Sequence, residues 1–277
     1  MISVRLAGGL GNQIFQLSAA ILLQSRYGGE INIDSSGLGA YNVPRQLIIN
    51  KLFDIDMLNA KVDMPILMRL VSMSRVSKLG FVGYNDASFK KLLKAKKKPL
   101  FPIHLDGYFQ EFWSKEDFDK VVGILKNVMY KNSQKLSNRF VIHCRGGDFL
   151  KDSNLNIMNF EWYKEAVSLL IENHDIPCDC EIVCEDIIYG RSLEKYLNNE
   201  FDVNFSLKQK GTVIEDFLYL KDSKFLVAGN STFAFWASAF SQDPQRTIAP
   251  INFSTTKKRP AFNPKETLIK ILGESHE

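Results

Sequence analysis

Short apolar runs alternate with amphipathic stretches along most of the sequence. The run Ile2-Ser3-Val4-Arg5-Leu6 predicts a buried strand, and residues 13–27 place apolar side chains at helical spacing. Further strands are predicted at 30–34, 140–144, 180–184 and 225–228, and further helices at 161–172, 213–221 and 233–240. Strands that alternate with helices indicate parallel sheets and therefore an α/β fold.

The middle of the chain breaks this alternation. Residues 41–132 show no sustained period, and we expect them to be mostly helical or irregular. A polar stretch at 127–137 separates this region from the second alternating block. We therefore predict two domains, an N-terminal one at 1–132 and a C-terminal one at 133–277.

Composition and charge argue against several classes of protein. The chain has 277 residues, is 45% hydrophobic and 24% charged, and carries a formal net charge of +4. That mild charge suits an anionic substrate or an acidic membrane surface and is too weak to indicate nucleic-acid binding. No apolar run approaches the roughly 20 residues of a membrane-spanning helix, and no signal peptide is visible. The four cysteines form no CxxC pair, which predicts reduced, structural cysteines in a cytoplasmic protein.

A glycine-rich turn follows the first predicted strand. Gly9 and Gly11 let a ligand approach the backbone, and the helix that follows offers free N–H groups and a positive dipole end to an anion. One such anion is the pyrophosphate of a dinucleotide, with Asp34 at the end of the second strand as the ribose contact. That fingerprint requires a third glycine where Ile14 stands.

Two amides, Asn12 and Gln13, stand where the first helix is predicted to begin. Each can donate and accept hydrogen bonds at once, which suits a polar ligand. A tight turn in which Asn12 caps the helix explains the same residues without any ligand. The local sequence alone favours this structural interpretation.

A second polar, glycine-rich loop follows the strand predicted at 140–144. It contains His143 and Arg145, which are two positions apart and therefore share one side of the strand end. The guanidinium fork of arginine binds two oxygens of a diphosphate and keeps its charge. A structural ion pair between Arg145 and Asp148 is the alternative interpretation of this loop.

Two more predicted strands end in polar residues. Glu185 and Asp186 can accept hydrogen bonds from a guanine edge or a ribose hydroxyl, although Asp186 can equally cap the next helix. Asn230, Ser231 and Thr232 precede a helix, which one of the hydroxyls would cap while also facing a phosphate. Ligands of open α/β sheets bind at the carboxyl ends of strands, so several such loops together indicate a binding site.

These motifs resemble those of the α-1,2-fucosyltransferases, glycosyltransferase family 11. The resemblance rests on four blocks in the family's order: Gly8-Gly9-Leu10-Gly11-Asn12-Gln13-Ile14-Phe15-Gln16, Asp106-Gly107-Tyr108-Phe109-Gln110, His143-x-Arg145-x-Gly147-Asp148-Phe149, and Asp216-Phe217 through Gly229-Asn230-Ser231-Thr232-Phe233-Ala234-Phe235-Trp236. The sequence departs from the family at Gly146, where a second arginine is usual, and at Cys184-Glu185-Asp186, where Ser-Asp-Asp is usual. Residues 41–100 match no family motif.

The resemblance implies a GT-B-like fold, in which two Rossmann-like domains enclose a donor cleft between them. The C-terminal domain would hold GDP-β-L-fucose, and the N-terminal domain would face the acceptor. The implied reaction moves L-fucose with inversion to a sugar hydroxyl, often of galactose, in α-1,2 linkage, and it uses no metal and no cofactor. An NAD-dependent oxidoreductase and a non-catalytic sugar-binding protein are the alternatives.

The implied chemistry assigns roles to individual residues. GDP must be stabilised as its bond to the sugar breaks, and Arg145 is the cation that we expect to do this. His143 would position the nucleoside or the phosphate, and Asn12 would lie near the fucose or the reacting oxygen. Candidate general bases are Asp148, Asp106 and Glu111. Expected donor contacts are Gly9, Gly11, Gln13, Glu185, Asp186, Asn230, Ser231 and Thr232, and expected acceptor contacts are Tyr108 and Gln110.

Two surface features complete the predictions. No continuous apolar strand precedes Asp54-Ile55-Asp56, so we interpret it as a surface turn rather than a metal site. Basic residues at 90–98 and at Lys257-Lys258-Arg259 predict weak contact with anionic lipid at the inner face of a membrane, with a solvated helix face as the alternative. This location agrees with a bacterial enzyme that builds O-antigen or capsule on a lipid-linked acceptor.

Overall fold

The computed structural model describes most of the chain as two compact units, Met1–Asn132 and Ser133–Glu277. The described residues are 1–39, 45–62, 83–97, 99–100, 102–111, 113–130, 136–146, 158–242, 245–254, 257–260, 263 and 265–270. Asp148, which the sequence suggests as a catalytic residue, lies outside the described residues.

The first unit is built on a parallel sheet. Its strands are β1 (Ile2–Arg5), β2 (Ile31–Asp34), β3 (Ala60–Lys61), β4 (Gly83–Tyr84) and β5 (Ile103–Leu105), and they lie in the order β3-β2-β1-β5-β4. The helices are α1 (Leu10–Tyr27), α2 (Ile49–Leu52), α3 (Asp86–Lys94) and α4 (Lys115–Asn127), with short 3₁₀ turns at Ser36–Gly39 and Asp56–Leu58.

Helix α1 is the central helix of this unit. It is buried from Gln13 to Leu23 without a break, so nearly every side of the helix is covered. It ends at Gly28, whose φ of 69° is a conformation that glycine adopts without steric cost. The amide of Gly28 donates to the carbonyl of Gln24 over 2.8 Å and so closes the last turn.

The second unit contains a six-stranded parallel sheet. Its strands are β6 (Ser137–Cys144), β7 (Asp179–Cys184), β8 (Asn204–Leu207), β9 (Ser223–Ala228), β10 (Arg246–Pro250) and β11 (Glu266–Ile269), in the order β11-β10-β9-β6-β7-β8. The helices are α5 (Phe160–Asn173), α6 (Ile187–Glu200), α7 (Val213–Lys221) and α8 (Thr232–Phe240). The buried face of α5, including Trp162, Tyr163 and Leu170, belongs to the same hydrophobic core as the strands.

The two parallel sheets confirm the α/β fold class. The predicted strands and helices of the alternating regions are present, and the helix predicted at 213–221 has those bounds. The middle of the chain is mostly helical or irregular where the structure describes it, as predicted, but it also contains the strands β3, β4 and β5. These strands have two or three residues each, which is too short to show an alternating pattern. The strands β8, β10 and β11 were not predicted, and helix α6 was expected only as the helix that Asp186 would cap, without bounds.

Candidate functional site

The polar loops follow strands at the centre of each sheet. In the second unit the chain leaves β6 towards β7 on one side and leaves β9 towards β10 on the other. The carboxyl ends of β6 and β9 are therefore neighbours at a switch of strand order, with His143 in register with Ala228. In the first unit β1 is flanked by β2 and β5, and Val4 is in register with Leu105. Such strand ends are where open α/β sheets bind ligands.

The glycine turn of the first unit leads directly into α1. The helix begins at Leu10, and its N-cap is Gly9, whose side-chain hydrogen cannot cap it. The alternative in which Asn12 caps the helix is therefore wrong, because Asn12 already lies within the first turn. A Cβ atom at Gly8, where φ is 78°, would lie 2.6 Å from Asn12 Nδ2. Glycine at position 8 therefore lets the turn approach the Asn12 amide.

Gln13 holds the glycine turn in shape. Its Nε2 donates to the carbonyls of Gly8, at 3.1 Å, and of Gln46, at 2.9 Å, while its Oε1 accepts from the amide of Ile48 at 3.0 Å. The side chain is fully buried. These bonds make Gln13 a positioning residue of the turn, and its predicted contact with a donor stays a prediction.

Two of the sequence motifs meet beside this turn. Gln110 Nε2 donates to Asn12 Oδ1 over 3.0 Å. Gln16, also on α1, accepts from the amide of Ala7 at 2.9 Å and donates to the carbonyl of Gly107 at 3.1 Å. The glycine turn and the segment after β5 are thus joined by amide side chains, and both lie at the carboxyl end of the sheet.

Asp86, at the start of α3, fixes the segment after β5. Its carboxylate accepts from the amides of Tyr108, at 3.0 Å, and Phe109, at 2.6 Å. Phe109 has a φ of 54°, which is a costly conformation for a bulky residue. Trp113 Nε1 donates to the Phe109 carbonyl over 2.7 Å and supports the same turn. A strained turn held by three hydrogen bonds is typical of a functional site, and this turn carries Gln110, which contacts Asn12.

His143 is a buried, neutral side chain near the end of β6. Its side chain packs against the Phe233 ring, with 5.7 Å between ring centroids, and the residue is 8% exposed. Burial, with smaller effects of the charges of Arg145 and Arg259, lowers the pKa of His143 to about 3. A neutral imidazole can position a ligand through hydrogen bonds, but it is a weak base at neutral pH.

Arg145 follows β6 directly, and its neighbour Gly146 packs tightly against α6. A Cβ atom at Gly146 would lie 2.7 Å from the Cβ of Asp186 and 3.0 Å from that of Tyr189. A side chain at position 146 therefore requires either α6 or the loop after β6 to move. This packing accounts for the absence of the second arginine that is usual in the sequences this chain resembles.

Asp186 caps α6, as one of the two interpretations of the sequence predicts. Its Oδ1 accepts from the amides of Ile188, at 3.0 Å, and Tyr189, at 3.1 Å. The neighbouring Glu185 is exposed at the same strand end. The capping bonds explain Asp186 without any nucleoside contact. The predicted nucleoside contacts of Glu185 and Asp186 stay predictions.

The turn after β9 joins β6 through its backbone. The amide of Gly229 donates to the carbonyl of His143 over 3.0 Å. Ser231 is the N-cap of α8, where its side chain accepts from the amide of Phe233 at 3.1 Å. Asn230 and Ser231 are buried, and Thr232 is half-buried. The helix N-terminus and the end of β6 thus form one polar edge in the second unit, which can accommodate an anion.

Arg259 is a buried neighbour of this edge. The prediction that it belongs to an exposed basic surface is wrong, because the residue is only 3% exposed. Its Nε and Nη2 donate to the two carboxylate oxygens of Glu266 over 2.8 and 2.5 Å. The guanidinium lies over the rings of Phe235 and Phe253, at 5.2 and 5.1 Å from their centroids. Glu266 is only seven positions along the chain, but the burial of this pair beside Phe235 comes from tertiary packing, which the sequence does not indicate.

Of the other sequence candidates, Asp106 directly follows β5 and pairs with Arg5 over 3.4 Å, whereas Asp54 and Asp56 lie in the turn that precedes β3. Asp54 accepts from the amide of Met57 at 3.4 Å in a turn that Asn59 ends with a φ of 49°. Within the described ranges, no group of three or more His, Cys, Asp or Glu side chains is arranged to hold a metal ion. None of the helices that the structure describes is long and apolar enough to cross a membrane.

Comparison with solved structures shows what the fold is similar to. The NodZ α-1,6-fucosyltransferase co-crystallised with GDP superposes with a TM-score of 0.55 at 12% sequence identity, over 87% of this chain and 92% of that one. A structure of the fucosyltransferase NodZ from Bradyrhizobium gives a TM-score of 0.53 at the same identity and coverage. These are GT-B structures, and the predicted GT-B fold class is thereby confirmed.

Comparison of sequences shows the family. The Escherichia coli protein named alpha-1,2-colitosyltransferase is 22% identical over 286 residues, which cover 95% of this chain and 96% of that protein. The profile of glycosyl transferase family 11 matches residues 1–269. This match covers nearly the whole sequence, including both glycine-rich turns and the block from Asp216 to Trp236. The chain therefore belongs to glycosyltransferase family 11.

Proposed function

We propose that this glycosyltransferase moves L-fucose from GDP-β-L-fucose to a sugar hydroxyl, with inversion and in α-1,2 linkage. The observation that carries the proposal is the polar edge of the second unit. There Arg145, the buried His143 and the N-terminus of α8 lie at neighbouring strand ends. Fixed cations and helix N-termini are the groups that stabilise a diphosphate leaving group.

The reaction needs little covalent chemistry from the protein. The acceptor oxygen forms a bond to the anomeric carbon of the fucose while the bond from that carbon to the GDP oxygen breaks. The electron pair leaves with GDP, whose added charge Arg145 and the N-terminus of α8 would stabilise. Because these groups supply positive charge, we propose a reaction that needs no metal ion and no cofactor.

The pKa of His143 limits its role. With a value of about 3, the imidazole is neutral at the pH of a cell, so we assign it to positioning the nucleoside or the phosphate. The candidates for the general base that deprotonates the acceptor hydroxyl are Asp148, Asp106 and Glu111. A loose transition state, in which the leaving bond is largely broken before attack, needs only weak help from such a base.

The glycine turn of the first unit would serve the sugars. We assign the fucose or the reacting oxygen to Asn12, and the acceptor to Tyr108 and Gln110. Glu185, Asp186, Asn230, Ser231 and Thr232 are the proposed donor contacts of the second unit, with Gly9, Gly11 and Gln13 in the first. The hydrogen bond from Gln110 to Asn12 supports this assignment, since it orients the Asn12 amide.

The relatives support the donor and the linkage as proposals. The similar structures are named as fucosyltransferases, including one soaked with GDP-fucose, and NodZ is named as an α-1,6 enzyme. The E. coli relative is named for colitose and an α-1,2 linkage. Transfer of colitose is therefore the second candidate function. GDP-fucose and GDP-colitose should be compared as donors in parallel, with the linkage of the product determined by NMR.

The alternatives are separated by ligand-induced stabilisation. GDP and GDP-fucose should raise the melting temperature, whereas NAD should leave it unchanged. A shift with NAD alone would support an oxidoreductase instead. In that fold Asp34 would bind the ribose, but its Oδ1 accepts from the amide of Ser36 at 2.9 Å. A non-catalytic sugar-binding protein would bind oligosaccharide but release no GDP.

We also propose that the enzyme works at the inner face of a bacterial membrane. There it would build O-antigen or capsule on a lipid-linked acceptor. Lys90, Lys91 and Lys94 lie on the exposed side of α3, and Lys96 and Lys97 follow it. Basic residues at a surface contribute about 1 kcal/mol each near anionic lipid. Flotation with anionic but not neutral vesicles, at low but not high salt, is the expected result. Equal absence from both kinds of vesicle would favour a solvated helix face.

A further inference from the structure

Two cysteine residues end neighbouring strands of the second sheet. Cys144 is the last residue of β6 and Cys184 the last of β7, and the two are in direct register. Neighbouring strands lie roughly 4.7–4.9 Å apart. That separation falls within the Cα distances of about 4.4–6.8 Å that a disulfide can bridge. The two thiols also interact with each other, and this interaction raises the pKa of Cys144 and lowers that of Cys184.

The surroundings make the two thiols unequal. Cys144 is 1% exposed, whereas Cys184 is half-buried. The Cys184 sulfur accepts hydrogen bonds from Cys144 and from the backbone amides of Asp186 and Gly146, and these lower its pKa. Helix α6 begins at Ile187, so its N-terminal partial charge also favours a thiolate there. The pKa of Cys144 is raised instead, by its bond to Cys184 and by burial.

The other two cysteines lack this arrangement. Cys178 is exposed and precedes β7, and Cys180 is fully buried within β7, in register with Phe140 rather than with a cysteine. They therefore provide an exposed and a buried control in the same segment of chain. Nothing in the proposed glycosyl transfer uses Cys144 or Cys184.

We propose that Cys144 and Cys184 form a thiol-modification site that reacts with small disulfides and closes into a reversible disulfide bond. The Cys184 thiolate attacks one sulfur of a small disulfide, and the other half leaves as a thiolate. Cys144 then gives up its proton and attacks the Cys184 sulfur, which forms the Cys144–Cys184 bond and releases the second small thiolate. The protein loses two electrons and two protons, and the small disulfide becomes two thiols.

Closure of this bond would affect the polar edge next to it. Cys144 precedes Arg145 and Gly146, and Cys184 precedes Glu185 and Asp186. The cross-link replaces the hydrogen bond between the thiols and removes the acceptor of the Gly146 and Asp186 amides. We therefore expect oxidised protein to bind GDP at least tenfold more weakly, an effect that rests on the proposed function. The thiol chemistry itself does not depend on it.

The experiment uses glutathione disulfide as the probe, with peptide mass mapping as the readout. The full-length Cys178→Ser variant, which removes the exposed bystander, should yield joined peptides containing Cys144 and Cys184 and retain no glutathione. The Cys144→Ser, Cys178→Ser variant should trap one glutathione on Cys184. The Cys184→Ser, Cys178→Ser variant should leave Cys144 unmodified. Dithiothreitol should reverse each modification.

Two results would overturn the proposal. One is glutathione that stays on Cys184 while Cys144 is present. The other is a wild-type Cys184 that reacts with iodoacetamide no faster than Cys178, where we expect at least a tenfold difference. Both measurements need only proteins with Cys144 intact, so a misfolded Cys144→Ser variant does not prevent the test. If the disulfide forms and GDP binding is unchanged, the site stands and its effect on the donor is refuted.

Discussion

Gln110 Nε2 donates a 3.0 Å hydrogen bond to Asn12 Oδ1 and so joins two sequence motifs that are 98 positions apart. The bond fixes which side of the Asn12 amide is presented at the strand end, because its oxygen is occupied by a buried donor. The Asn12 amide nitrogen then lies beside Gly8, where any side chain would collide with it. The two motifs therefore act as one structural unit.

Replacement of Gln110 by glutamate tests this relationship. A carboxylate cannot donate to Asn12 Oδ1, and the two oxygens would repel each other in a buried setting. The Asn12 amide would then be misaligned, and we expect kcat to fall by about tenfold or more. A tenfold loss corresponds to about 1.4 kcal/mol in the activation barrier. Gln24→Glu is the matched control. Like Gln110, Gln24 donates hydrogen bonds through its side-chain amide. Its acceptors are the backbone carbonyls of Gly29 and Leu58, and it lies near the far end of α1. Equal losses in both variants would refute a special role for Gln110.

Arg145 provides the test of leaving-group stabilisation. Arg145→Ala should lower the rate of GDP release in the presence of acceptor by on the order of a hundredfold, since one charge-assisted clamp is worth about 3 kcal/mol in the barrier. Arg145→Lys should also be slow, because a point charge cannot replace the guanidinium fork. Arg191→Ala, which removes an exposed guanidinium that pairs with Glu194 on α6, should keep wild-type turnover. Near wild-type turnover of Arg145→Ala would remove this residue from the mechanism.

Removal of divalent ions tests the second part of that mechanism. If Arg145 and the N-terminus of α8 supply the positive charge, dialysis against EDTA should change the transfer rate by no more than about twofold, whereas a catalytic metal contributes several kcal/mol. Activity that collapses with EDTA and returns with manganese or magnesium would contradict the proposal. Asp54 and Asp56 would then be the first residues to substitute.

The sequence predicted elements well where they are long and periodic. The apolar spacing of Val213–Lys221 marks a helix whose buried face includes Phe217 and Leu220, and its bounds agree with the structure. Strand β5, Ile103–Leu105, is too short for any period to appear, although it carries the segment that holds Gln110. Helix α6 was expected after Asp186 but without bounds, because its first turn exposes Ile187 and Ile188, at 61% and 81%, so its apolar residues do not mark a buried face.

The residues of the candidate site likewise fall into those that the sequence indicates and those that only the tertiary structure shows. Polar residues that directly follow a buried strand, such as Arg145 and Asn230, are visible in sequence because strand and loop are adjacent. Asp86, by contrast, acts on Tyr108 and Phe109, and its pairing is set by the neighbouring strands β4 and β5. Residue contacts of that kind depend on tertiary structure, and no spacing rule in one sequence indicates them.

The buried state of His143 predicts a dependence of stability on pH. Its pKa is about 3 in the folded protein, against an ordinary value of 6.5, so the unfolded chain binds the proton more readily between these values. Stability should therefore fall as the pH is lowered from about 6.5 towards 3. At about 1.4 kcal/mol per pKa unit, the loss due to His143 is roughly 2–3 kcal/mol at pH 4.5.

Urea unfolding of wild type and His143→Asn at pH 7, 5.5 and 4.5 measures this effect as a difference in slope. The variant should lose less stability on acidification than the wild type. His104, whose pKa is also lowered by burial, contributes to the slope equally in both proteins. His174→Asn is the control, since this half-buried ring lies at the end of α5. Parallel pH profiles of wild type and His143→Asn would show that the imidazole is not held neutral by burial.

The packing of Gly146 against α6 predicts opposite outcomes for two substitutions of glycine by alanine. At Gly146 the new Cβ would lie 2.7 Å from the Cβ of Asp186, which caps α6, so helix or loop must shift. Overpacking of this kind costs about 1–3 kcal/mol, and we expect Gly146→Ala to lower the free energy of unfolding by that amount. It should also weaken GDP binding, because Arg145 is its neighbour in sequence.

Gly123 is the matched control within a helix. It is exposed in α4, and a Cβ atom there would meet nothing within 4 Å. Alanine should therefore stabilise the protein by up to about 1 kcal/mol, since it removes the conformational freedom of glycine from a helix interior. Urea unfolding of both variants, together with calorimetric titration of GDP, gives the two free energies. If Gly146→Ala is as stable as Gly123→Ala, the contact between the end of β6 and α6 is looser than the structure indicates. The usual second arginine would then be absent for a reason other than steric exclusion.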